Sequence, residues 1–169
     1  MYDGDDIDLL YVLSPHGWST CILFVDKRTY ELIISHVFGD PIGDFIEATI
    51  ALLKGALSVE VIWRDEPGGN QWKMTRNSDQ KHRVQITVTE FSSSYGDEIA
   101  QEILLVAFEI KISHFSTLVY HQMKKVAALL KEKSFEKNRS GEFPYAAFRN
   151  LESLLVVFQR CCWMCRMCY

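Results

Sequence analysis

The chain has 169 residues, 48% of them hydrophobic and 12% aromatic, and a formal net charge of -4. That length and composition suit one domain with a sizeable core and exclude a long disordered chain. The acidic start from Met1 to Asp6 lacks the basic and apolar regions of a signal peptide, and the apolar runs Ile103–Phe108 and Leu151–Phe158 are too short to cross a bilayer. The expected location is therefore the cytoplasm, with no membrane partner.

The first elements are extended. Leu9–Leu13 reads as a strand that stops at Ser14-Pro15-His16-Gly17. Cys21–Val25, a run of branched and aromatic residues, reads as the next strand. Asp26-Lys27-Arg28-Thr29 is a polar turn, and Tyr30–Ser35 returns from it. Asp40-Pro41 then opens a helix, because Asp40 can cap free amides and Pro41 suits the first helical position. Ile42, Phe45, Ile46, Ile50 and Leu53 share one helical face, and Gly55 supplies the C-terminal stop.

Three strands follow. Val59, Val61 and Trp63 alternate with polar residues, as do Trp72 with Met74, and Val84 with Ile86 and Val88. The turns at Asp65–Asn70 and Asn77–Asp79 are short enough to impose an antiparallel meander. Phe91–Asp97 reads as a Ser- and Gly-rich loop. Ile103–Ile112 reads as a strand with Leu104, Val106, Phe108, Ile110 and Ile112 on one face. A helical stripe from Phe115 to Leu130 follows, with Ser113 as its cap, and 133–142 is a charged connector. Phe143-Pro144 begins the last helix, lined by Phe148, Leu151, Leu155 and Phe158.

Strands, helix, strands, helix, helix is the order of an α+β fold. The expected architecture is an antiparallel β-sheet of about five to seven strands with helices packed on one face. Residues 1–160 form the single α+β domain and 161–169 a Cys-rich C-terminal tail.

The candidate chemistry is sparse. His114 and His121 are too far apart for a helical metal pair, which places them at the surface or a helix end. Gly68-Gly69 lacks the lysine and helix start of a phosphate loop, and no serine elbow or kinase signature is present. Cys162, Cys165 and Cys168 repeat as iron–sulfur ligands do, but the fourth cysteine and proline of that run are missing. No metal or other cofactor is expected, and the cysteines read as small hydrophobes of a tail that packs as helix or frays. A sequence pI of about 5.7 argues against a nucleic-acid partner.

The charge is polarised. Residues 1–110 carry 18 acidic and 8 basic side chains, net -10, whereas residues 111–169 carry 4 and 10, net +6. An acidic surface can steer a basic protein partner into contact. Asp65, Glu66, Asp97 and Glu98 are the loop carboxylates expected on such a surface, with Trp72 either an aromatic anchor there or, as its alternation favours, a core residue.

Three segments carry a family resemblance. They are Asp40-Pro41-Ile42-Gly43-Asp44 with the following Ile50–Gly55, the run from Trp63 to Trp72, and Phe143-Pro144 with Leu151–Leu155. Their order resembles an uncharacterised family of small bacterial cytosolic proteins, over roughly residues 36–155. That family implies no catalytic residue. In type, a small acidic chain without a catalytic set is similar to the immunity proteins of contact-dependent and polymorphic toxin systems. The resemblance implies a non-enzymatic binding module whose protein partner is a cognate toxin domain. The alternative is a small cytosolic hydrolase with a dispersed site, His36 or His114 working with carboxylates brought near by folding. Oligomeric state is not legible in the sequence.

Overall fold

A computed structural model describes the backbone of residues 2–3, 6–95, 98–139 and 143–166, and the side chains of 6–92, 102–139 and 143–158. The fold is α+β. The strands form two sheets where one was expected. The first is a meander of β2 (Ile7–Ser14), β3 (Trp18–Val25) and β4 (Arg28–Ser35). The second is a meander of β5 (Ser58–Arg64), β6 (Gly69–Arg76), β7 (Arg83–Tyr95) and β8 (Glu98–Lys111). A two-residue strand, β1 (Tyr2–Asp3), lies parallel to β8 at its outer edge.

Local chemistry sets the joints. The β3–β4 turn needs only Asp26 and Lys27, both at positive φ (47° and 62°), so pairing begins at Arg28 rather than after Thr29. Helix α1 (Pro41–Leu53) starts where Asp40 accepts the Gly43 amide at 2.9 Å. It ends at Gly55, φ 101°, where Gly55 N donates to Leu52 O and Ala56 N to Ala51 O. Gly69 is obligatory for a different reason: a Cβ there would lie 2.1 Å from the Trp63 carbonyl oxygen.

Three expectations change. The 91–97 segment is no loop up to Tyr95, because β7 continues and pairs Ser93 with Ala100 and Ser94 with Ile99. Ladder bonds use the backbone, so serine composition does not forbid them. Leu104 is exposed, off the buried face of Val106, Phe108 and Ile110. A register shift places Val88 opposite Val106 but Thr89 opposite Leu104, and this bulge reverses the alternation. Helix α2 (Ile112–Leu129) runs straight on from β8, so Lys111 rather than Ser113 sits at the cap position, with no side-chain cap bond. A short helix, α3 (Lys133–Glu136), occupies the charged connector. The last helix, α4 (Tyr145–Arg166), runs on past residue 160, and the Cys168 of the tail lies outside the described residues.

The buried faces of both sheets, α1, α2 and the start of α4 share one core. Phe45 of α1 stands at its centre, with ring centroids 4.9 Å from Trp63, 5.3 Å from Trp72 and 5.9 Å from Phe115. Tyr11 reaches Trp63 at 6.3 Å and so links the two sheets. The free edge of β2 is closed by side chains: Tyr11 N donates to Gln122 Oε1, Lys125 Nζ donates to Tyr11 O, and Arg139 Nε donates to Leu13 O. Bonding an edge to side chains removes it as a template for another strand. No helix among the described residues is long and apolar enough to cross a membrane.

Candidate functional site

The two sheets each turn one face outward, and the faces differ in kind. On the four-strand meander polar residues separate the apolar ones: Glu60, Lys73 and Thr87 stand in register, and exposed Ile62 and Leu104 end a row that runs through Gln71 and Thr89. Lys73 and Glu60 pair at 3.7 Å there. That is the ordinary pattern of an antiparallel sheet with one wet face. On the three-stranded sheet the outward rows are Asp8–Phe24–Thr29, Leu10–Ile22–Glu31 and Val12–Thr20–Ile33. Leu10, Val12, Phe24 and Ile33 are exposed. The only charges in these rows are the carboxylates of Asp8 and Glu31. Four exposed apolar side chains side by side are more than the single scattered hydrophobics of an ordinary surface.

Ile33 joins that face to an acidic groove. The groove, about 190 Å³, is lined by Tyr30, Glu31, Ile33, Asp65, Asn70, Glu90 and Leu105. Among the described residues three carboxylates line it and no lysine, arginine or histidine does. Burial pushes the Asp65 carboxyl above its ordinary range, and the amides of Asp65 and Gly68 pull it back. Next to Asp65, Glu66 accepts a hydrogen bond from the Ser35 hydroxyl at 3.1 Å, which ties the β5–β6 loop to the end of β4. Long-range folding thus adds Glu31 and Glu90 to the Asp65 that the sequence singled out. Neither addition had a sequence signal, since each is an isolated acid on a strand.

The other sequence-derived site residues fare differently. Trp72 is fully buried against Phe45 and Trp63. It is a core residue and not a surface anchor, because its position faces the helices across the sheet. Asp97 lies outside the described residues. Glu98 opens β8 opposite Tyr95, and its side chain is outside the described set.

A second concavity lies at the end of the three-stranded sheet. This cleft, about 390 Å³, has an apolar floor of Leu13, Ile42, Leu130 and Phe143 and a polar rim of His16, His36 and Asp40. His36 Nε2 shares a 2.6 Å hydrogen bond with the hydroxyl of Ser19, which is itself only 1% exposed. The buried Tyr11 hydroxyl lies near Ser19 without closing a hydrogen bond, and burial holds its pKa well above the ordinary value. Burial pushes the His36 pKa down, against the opposing field of Asp40. The backbone pins the rim: His36 N donates to Gly17 O and His16 N to Asn138 O. His114 and His121 lie on α2 and do not line this cleft.

Comparison with known proteins finds no match to a family model, a curated protein or a solved structure. The functional reading therefore rests on these surfaces. Among the described residues no group of three or more His, Cys, Asp or Glu side chains is placed to hold a metal ion.

Proposed function

We propose that this chain is a protein-binding module, an immunity protein that neutralises a cognate bacterial toxin in the cytoplasm by direct contact. The observation that carries the reading is the apolar outward face of the three-stranded sheet, bordered by the groove of Glu31, Asp65 and Glu90. An apolar centre beside a cluster of carboxylates suits a partner with an apolar patch and a basic rim. A second copy of the chain fits poorly, since it would set Asp8 and Glu31 against the same acidic border. The toxin class expected is a basic one, whose approach the carboxylates accelerate.

The test is protection. The chain is co-expressed with toxin domains encoded beside it, and survival and complex formation are scored. Glu31→Gln, Asp65→Asn and Glu90→Gln together, or Phe24→Ser with Val12→Ser, should abolish rescue in a chain that remains folded. No complex and no rescue with any neighbouring toxin would sink the reading. A small enzyme is the second reading, supported by the imidazole that Ser19 holds at the cleft rim. Among the described residues the cleft lining carries no hydroxyl, thiol or amine, so activation of water by His16 or His36 is the chemistry that fits it.

A further inference from the structure

The cleft at His36 is a built concavity that the partner-binding reading leaves unused. Its volume, about 390 Å³, falls at the small end of the range for ligand pockets, about 300–1,000 Å³. Its walls come from the β2–β3 turn, the β4–α1 loop, the end of α2 and the segment before α4. Val37, 72% exposed, leaves an apolar side chain standing at the mouth.

The polar complement of the cleft is one-sided. Among the described residues the only formal charge on its lining is the Asp40 carboxylate. Asp40 Oδ1 accepts the Gly43 amide at 2.9 Å and Oδ2 packs over Gly43, yet a carboxylate has about four acceptor positions, so the exposed side chain keeps lone pairs for a ligand. Among the described residues no lysine or arginine lines the cleft to hold an anion. His36 is fixed from behind by Ser19, and its burial favours the neutral imidazole.

We propose that this cleft binds a small apolar amine, its stem on Leu13, Ile42 and Phe143 and its ammonium facing Asp40. A carboxylate of the same shape would be repelled by Asp40, and a neutral alcohol would gain only the apolar contact. The inference does not depend on the toxin reading, which concerns the opposite face of the three-stranded sheet.

The experiment titrates the full chain with 4-phenylbutylamine, 4-phenylbutyrate and 4-phenylbutanol and follows backbone amide NMR signals. The amine should give saturable shifts at Gly17, Val37 and Gly39, and the carboxylate none. Asp40→Asn should weaken the amine by about fivefold or more, the scale of a partly exposed ion pair. Asparagine caps helices as well as aspartate does, so this variant should keep its melting temperature. Leu130→Trp, which fills the cleft from its floor, should abolish binding. Equal binding of the carboxylate or the alcohol, no saturable shift with millimolar amine, or full affinity in Asp40→Asn or Leu130→Trp would each overturn the proposal.

Discussion

Replacing Ser19 with alanine probes how firmly the protein holds His36. The hydroxyl is 1% exposed and lies 2.6 Å from His36 Nε2, so the substitution deletes one buried bond and strands one imidazole nitrogen. A net hydrogen bond contributes about 0.5–1.5 kcal/mol, and an abandoned buried polar atom costs about 1–3 kcal/mol. His36 is only partly buried and can turn towards the cleft, which recovers some of the second cost. The expected loss is about 1.5 kcal/mol. With a urea slope of about 1–3 kcal/mol per molar, the midpoint should fall by roughly 0.5–1.5 M. The pH dependence follows from the sign of the shift. His36 titrates below its ordinary 6.5 in the folded chain, so the unfolded chain takes the proton first. Its contribution to stability is intact above pH 6.5 and is lost as pH falls through the folded value. An imidazole released from Ser19 is better solvated, and its shift shrinks. The gap between parent and Ser19→Ala should therefore be wider at pH 7.5 than at pH 5. Urea midpoints at both pH values, with an NMR titration of the His36 ring, measure this. A variant as stable as the parent, or a parent ring titrating at or above 6.5, would refute the reasoning.

Lys125→Met keeps the apolar stem but removes the ammonium that donates to Tyr11 O at 2.6 Å and to Gln122 Oε1 at 2.9 Å. It should cost about 1 kcal/mol in urea unfolding and raise self-association in sedimentation, since it reopens the β2 edge. Unchanged values on both would show that desolvation of the ammonium, which pulls its pKa down, cancels those bonds. Trp72→Ala should cost about 3–5 kcal/mol by calorimetry, as befits a fully buried ring. A loss within the range of surface substitutions would return Trp72 to the surface. Asp65→Asn should change stability by no more than about 0.5 kcal/mol at pH 7 while weakening partner capture. The folded carboxyl titrates above its ordinary 3.8, so its stabilising share is present below that pH and is lost as pH rises through the folded value. A strongly destabilised Asp65→Asn at pH 7 would make that carboxylate structural.

What the sequence showed and hid divides along contact range. Alternation and capping are local, so β2 to β6, α1 and the body of α2 stood close to where Asp40, Gly55 and the Val61–Trp63 pattern put them. The bulge near Leu105 is also short in range, but a hydrophobic run such as Ile103–Phe108 carries no mark of where its alternation reverses. The division into two sheets was hidden because each hairpin pairs the same way whether or not β4 bonds to β5. The outward apolar face was hidden by the same fact. Apolar residues at Leu10, Val12, Ile22 and Phe24 are what a strand buried on both sides would carry, and only the absence of a covering layer among the described residues turns them into a surface. The groove is the strictest case. Its carboxylates at 31, 65 and 90 come from three strands or loops of two sheets, and no spacing along the chain predicts their meeting. The net charge of the first 110 residues indicated that acid would gather somewhere, but only the fold sets it beside an apolar face. Acid spread evenly would keep the chain soluble. Acid bordering an apolar sheet face is the arrangement on which the proposed choice of a basic partner over a second copy of the chain rests.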